Sequence, residues 1–160
     1  MAKYSDLRLK DRIFMAAYRY RSTDWQPGAR LDKPLTEARM AIVTTAALYA
    51  PEQQPFDEAF RGGDFSFREL SSELDVKTLR MGHRSLSFDH SGVEKDANLA
   101  FPLDRFRELD DEGLIGALNR RHFSFMGSIT APGRLLKDTA PAVARELRQD
   151  GVDAVFLTPV

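Results

Sequence analysis

The stretch from Arg121 to Leu157 constrains the fold of this 160-residue chain more than any other. Arg121–Met126 alternates as a strand, and Gly127 ends it. Thr139 stands as an N-cap before Pro141 in a first helical turn, and Ala140, Val143 and Leu147 recur at helical spacing. Gly151 closes that helix, and Val152–Leu157 is a strongly apolar strand. Strands joined by a helical crossover run parallel in one sheet. The expected class is therefore α/β, a Rossmann-like three-layer domain with a mainly parallel sheet.

The remaining elements follow by the same patterns. Residues 5–21 predict an amphipathic helix with Ser5 as N-cap and Leu9, Ile13, Ala16 or Ala17, and Tyr20 on one face. Asp24, Pro27, Gly28 and Pro34 make 22–34 a connector. Residues 1–39 thus form an N-terminal helix and connector, and 40–160 the α/β domain. Met40–Thr45 is a β-branched run that predicts a strand buried on both faces. Pro51, Pro55, Gly62 and Gly63 make 47–63 a long loop. A second strand is expected at 65–70, with Phe65 and Phe67 on one face, and a short third at 78–81. Gly82–Asp96 shows no strong helix or strand pattern. Phe101–Leu109 predicts a helix with Pro102 in its first turn, Leu103, Phe106 and Leu109 or Asp110 on one face, and Gly113 as its stop.

Composition narrows the function classes. With 23 basic and 24 acidic residues the net charge is −1, which gives nucleic acid no broad basic surface. Residues 1–40 hold nine basic and five acidic residues, the pattern of a solvated helix face. The chain has no cysteine, so it holds no disulfide, thiolate metal site or cysteine nucleophile. Charges at Lys3, Asp6, Arg8, Lys10, Asp11 and Arg12 interrupt any signal-peptide core, and the apolar runs at 41–50 and 152–160 are half a membrane span. A cytoplasmic location is expected, with no membrane or nucleic-acid partner; a homo-oligomer stays open. No P-loop or glycine-rich dinucleotide fingerprint is present.

Candidate site residues come from loops and strand ends. His83, Asp89, His90 and Asp96 fall within fourteen positions and combine imidazoles with carboxylates. Their spacing matches no compact metal signature, so His83, His90 and Asp96 are weak metal candidates, and loop hydrogen bonding is the plainer role. A third role has His83 and His90 facing the sheet's carboxyl edge, binding substrate or protonating a leaving amine. His122 alternates with Ser124 and Met126 on a strand, where packing is the commoner use of a histidine. Gly127, Ser128 and Thr130 form a polar turn that can cradle a carboxylate or phosphate. Arg105 can grip a carboxylate in bidentate fashion, or pair with Asp104 or Glu108 on its own helix. Thr158 stands at the last strand's carboxyl end, where ligands of open α/β sheets bind.

Five blocks in order carry a family resemblance: Ala41-Ile-Val-Thr-Thr45, Gly63-Asp-Phe-Ser-Phe-Arg-Glu69, Asn98-Leu-Ala-Phe-Pro-Leu-Asp-Arg105, Arg121-His-Phe-Ser-Phe-Met-Gly127 and Asp150-Gly-Val-Asp-Ala-Val-Phe-Leu-Thr-Pro-Val160. They resemble the selenoprotein B family, which contains the selenoprotein subunits of glycine, sarcosine, betaine and D-proline reductases. The likeness runs from about residue 40 to the last and is nearest the shorter, D-proline-reductase-like branch. It implies a selenocysteine or cysteine directly after Val160, in a redox motif with another cysteine. It also implies a pyruvoyl group on a partner subunit and either reductive C–N cleavage of a small amine or amino-acid-like substrate or related selenol/thiol redox chemistry. On this reading no catalytic nucleophile lies within the chain as given, which is inactive and incomplete at its C-terminus. Its frame stops at a UGA that encodes selenocysteine, leaving an apolar patch near Val155–Val160. Two alternatives remain: a non-catalytic α/β module that binds a small ligand or a partner, and a metal-dependent hydrolase or isomerase using the His83–Asp96 cluster.

Overall fold

A computed structural model describes residues 8–17, 28–85 and 88–160. The chain divides into two units, Met1–Arg30 and Leu31–Val160. The first contains helix α1 (Leu9–Ala17), on which Leu9 and Ile13 are exposed. The expected helix at 5–21 is seen only over that span; Ser5 and Tyr20 lie outside the described residues.

The second unit is α/β. In chain order it holds β1 (Arg39–Thr44), β2 (Leu48–Tyr49), β3 (Phe67–Ser71), β4 (Arg80–Met81), α2 (His90–Lys95), α3 (Leu103–Asp111), β5 (Ala117–Leu118), β6 (Arg121–Phe125), α4 (Ala140–Gln149) and β7 (Ala154–Thr158). β1 is central. It pairs in parallel with β7 along its whole length, with β5 at its start and with β6 at its end, while β3 adds antiparallel to β6. The sheet is therefore mixed, not wholly parallel. The crossover through α4 brings β6 and β7 parallel, but β1 lies between them. β2 and β4 form a separate antiparallel pair.

Side-chain alternation sorts the core into two layers. Met40, Ile42 and Leu70 pack with Leu103 and Phe106 of α3 and with Ala100 and Phe101. Ala41, Phe123 and Phe125 pack with Val143 and Leu147 of α4. A helix thus covers each face, and β1 is buried on both, as its unalternating run predicts. Gly116 permits the close approach at the start of β1, since a Cβ there would lie 2.3 Å from the Glu37 carbonyl carbon.

Several expectations shift. The 47–63 stretch contains β2 and is not all loop. Phe65 precedes β3; it packs edge-on to Phe60 while Phe67 packs on Phe123 and Phe125. The short strand near 78–81 covers Arg80–Met81 and follows a 3-10 turn at Val76–Thr78. Residues 82–96 contain a six-residue helix too short to show periodicity. Pro102 occupies the N-cap position of α3, one residue ahead of its first turn, and makes no side-chain cap. Thr139 does not cap α4 with its side chain; a π-helix at Leu135–Thr139 precedes, and Thr139 Oγ1 donates to the Phe65 carbonyl at 2.7 Å. β5, only two residues of generic sequence, carries no pattern of its own.

Among the described residues no helix is long and apolar enough to cross a membrane.

Candidate functional site

Three parallel strands deliver their carboxyl ends to one place. β1 runs into Thr45, β6 into Gly127 and Ser128, and β7 into Val160. Thr45 ties them together. Its carbonyl accepts the Gly127 N–H at 2.7 Å, its N–H donates to the Thr158 carbonyl at 3.2 Å, and its Oγ1 accepts the Val160 N–H at 3.0 Å. A parallel sheet leaves ladder groups unused at its ends, so a hydroxyl that substitutes for one fixes the geometry there.

A cavity of about 320 Å³ opens beside these ends, lined by His83, Ser85, Phe88, Asp89, Ser128 and Val160. The arm that walls it leaves β4, with the Gly82 N–H held by the Ala47 carbonyl at 3.0 Å and Arg84 Nη1 donating to the Phe60 carbonyl at 2.8 Å. His83 is 4% exposed. Its ring meets Phe88 edge-on at 4.9 Å and His90 at 5.9 Å. The Ser85 N–H donates to His83 Nδ1 at 3.2 Å, so in the neutral ring the proton sits on Nε2. That Nε2–H is buried and has no hydrogen-bond partner among the described residues. Burial, and then the neighbouring His90, push the His83 pKa below its ordinary value, which keeps the ring neutral.

Gly127 is the residue that lets these groups converge. A Cβ at that position would lie 2.6 Å from His83 Nε2, 3.0 Å from the Thr45 carbonyl oxygen and 3.1 Å from the Val160 carbonyl oxygen. Ser128 follows with φ 55°, a left-handed conformation that costs a serine free energy and aims the turn at the cavity.

Of the residues singled out from sequence, His83, Asp89 and Ser128 line the cavity, and His90 touches it through the His83 ring. Asp89 also caps α2, accepting from the Ser91 N–H and hydroxyl at 3.0 and 2.8 Å; these bonds hold its carboxylate below the usual range. The others lie elsewhere. Asp96 caps the turn at Ala97–Leu99, accepting from the Asn98 N–H. Arg105 pairs with Glu108 at 2.6 Å on the exposed side of α3. Thr158 Oγ1 donates to the Ala100 carbonyl at 2.7 Å, tying β7 to the layer below. His122 is fully buried, accepts the Ile42 N–H at Nδ1 at 3.1 Å and meets Phe101 edge-on, a packed strand histidine. Burial pushes its pKa down to about 4. No group of three or more His, Asp or Glu able to hold a metal occurs among the described residues. Two of the cluster's carboxylates are occupied as caps, which is the physical reason it does not gather.

Sequence reasoning missed Thr45, Ser85 and Phe88. Thr45 ends a strand run like any threonine, and its role shows only when three strand ends meet.

A family model described as glycine/sarcosine/betaine reductase selenoprotein B matches residues 7–160, so the likeness reaches well upstream of residue 40. The D-proline reductase subunit gamma of Acetoanaerobium sticklandii is 36% identical over 134 residues, covering 84% of this chain and 52% of that protein. The glycine reductase complex component B subunit gamma of Peptoclostridium acidaminophilum is 31% identical over 157 residues, 94% of this chain and 34% of that protein. The sarcosine reductase complex component B subunit beta of the same organism is 32% identical, over 79% of this chain and 29% of that protein. The chain spans about half the length of the first relative and about a third of the other two. No solved structure matches.

Proposed function

This chain belongs to the glycine/sarcosine/betaine reductase selenoprotein B family, and on that footing we propose that it forms the part of a reductase-complex subunit that seats a selenolate or thiolate directly after Val160. The observation that carries the reading is the convergence of His83, Ser128 and Val160 around Gly127, at the carboxyl end of a largely parallel sheet.

The residues present fit such a group. The Gly127 backbone leaves a cradle that any Cβ would fill, and the His83 Nε2–H is an orphaned donor beside it. When bound, a selenolate or thiolate supplies a soft nucleophile for the carbon bearing an amine, and a pyruvoyl carbonyl on a partner subunit supplies activation of that amine.

The chain's own residues prepare the site. His83 stays neutral with its proton on Nε2, a hydrogen-bond donor aimed at the strand ends rather than a fixed positive charge. Asp89 stays ionised at the rim, where a substrate ammonium gains from a carboxylate. Phe88 forms one wall of the cavity and is backed by the His90 ring at 5.2 Å. Thr45 fixes the position of Val160, and so of whatever the main chain presents next.

The substrate class is a small amine or amino acid, and the setting a cytoplasmic multi-subunit complex. The complete protein is taken to extend the sheet into a Rossmann-like domain. The test uses the complete protein co-expressed with its complex subunits and reduced by a dithiol. Reductive C–N cleavage is followed as amine release from glycine, sarcosine and betaine, and as ring opening to 5-aminopentanoate with D-proline. At least one of them is cleaved, and His83→Ala lowers kcat by roughly tenfold or more without loss of fold. Binding without C–N cleavage of any of the four would instead favour a ligand-binding module.

A further inference from the structure

A second cavity, of about 290 Å³, lies away from the strand ends, between the 76–81 and 93–98 segments. We propose that it binds a small amphipathic carboxylate, a short aliphatic or aryl chain with one anionic head.

The floor is apolar and already packed. Leu48, Val76 and Val93 are 1%, 2% and 7% exposed and belong to the main core cluster, so the cavity opens directly onto the core. Leu79, Met81 and Ala97 extend the apolar wall upward. The rim is cationic. Lys77, Arg80 and Lys95 all line the cavity, and none makes an ion pair among the described residues. Two carboxylates share the rim. That of Asp96 accepts at Oδ1 from the Asn98 N–H at 3.0 Å and the Asn98 side-chain amide at 3.1 Å and keeps its charge, so three cations face two anions and the rim carries a net charge of +1.

An apolar floor under an uncommitted cationic rim complements a molecule that is apolar at one end and anionic at the other. Size bounds the ligand: 290 Å³ is the space of roughly ten waters in the liquid, hence roughly ten non-hydrogen atoms. A polyphosphate would waste the floor, and an ammonium would meet a rim of net positive charge.

The test is an amide-resolved NMR titration of the chain with sodium hexanoate, with hexylamine and hexanol as controls. Hexanoate produces saturable shifts in the 76–81 and 93–98 amides, with a dissociation constant on the order of 1 mM. Hexylamine produces none there, and hexanol binds about tenfold more weakly than hexanoate. The double variant Lys77→Gln/Arg80→Gln weakens hexanoate by about tenfold. Ala97→Phe, which fills the cavity from its rim, abolishes the shifts. The same spectra report whether each variant is folded. Shifts that map elsewhere, an equal response to hexylamine, or an undiminished affinity in either folded variant would overturn the proposal.

Discussion

At position 127 a single hydrogen in place of a methyl group decides whether three backbone ends and one imidazole can share a corner. Gly127→Ala sets a Cβ 2.6 Å from a ring nitrogen whose side chain is itself buried, and about 3 Å from two carbonyl oxygens that belong to strand ends. Neither can retreat cheaply. The substitution should cost about 2 kcal/mol in urea unfolding. Gly133→Ala, where nothing lies within 4 Å, should cost under about 0.5 kcal/mol. His122 offers a second residue-scale test. Its pKa falls from 6.5 unfolded to about 4 folded, so the unfolded chain binds the proton first. Stability is then fully present above 6.5 and is lost as pH falls through the window to about 4, by about 3 kcal/mol. His83, shifted the same way, adds to that loss. The carboxylates with lowered pKa values, Asp104 and Asp150 among them, act only below their ordinary 3.8, so this window belongs to the histidines. Unfolding measured across it should show the slope, and His122→Asn should flatten it. Residue types announce the site only in part. His83, Asp89 and Ser128 stand out because chemistry-bearing residues in loops invite attention. Thr45 and Phe88 look like ordinary strand and loop residues, and their roles depend on contacts between distant segments.

Elements show where local pattern reaches its limit. β1, β6, α3 and α4 are legible because burial imposes a period on them. β7 is legible as a strand, yet its place in the sheet is not, since β1 intervenes between it and β6. β5, β2 and α2 are too short to carry a period, and Asp89, which by residue type suits a ligand, serves first as a cap. One ion network joins elements that sequence leaves unrelated. Arg121 at the start of β6 donates to Asp150 at 2.7 and 2.9 Å and to Glu146 at 2.7 Å, with Glu69 at 3.4 Å. Asn119 adds a bond to Asp150 at 2.9 Å. These bonds raise the Arg121 pKa and lower that of Asp150. The arginine clamps the end of α4 to the sheet. Arg121→Met should cost about 2 kcal/mol, because it leaves three carboxylates facing one another, discounted for their partial exposure. Thermal unfolding checks it, and Arg105→Met, which removes only an exposed pair on α3, should change little.

For the whole molecule, family blocks spread along the chain are more informative than any single motif, because their order is itself a constraint. They point to the reductase family, which the comparisons bear out, while the antiparallel β3 emerges only in three dimensions. β7 lies at a sheet edge with Val155, Phe156 and Leu157 exposed by 37%, 43% and 66%. An apolar edge without a charged side chain on the strand itself is a surface that pairs readily with another chain or segment. The corner around Gly127 is proposed to seat a selenolate or thiolate directly after Val160. The most direct measurement alkylates the reduced product of the complete native reading frame with iodoacetamide and locates the adduct by peptide mass spectrometry. An adduct is expected on a selenocysteine or cysteine immediately after Thr158-Pro159-Val160, forming faster than on a free thiol at neutral pH. An unreactive residue at that position, in a protein that still cleaves the substrate, would contradict it.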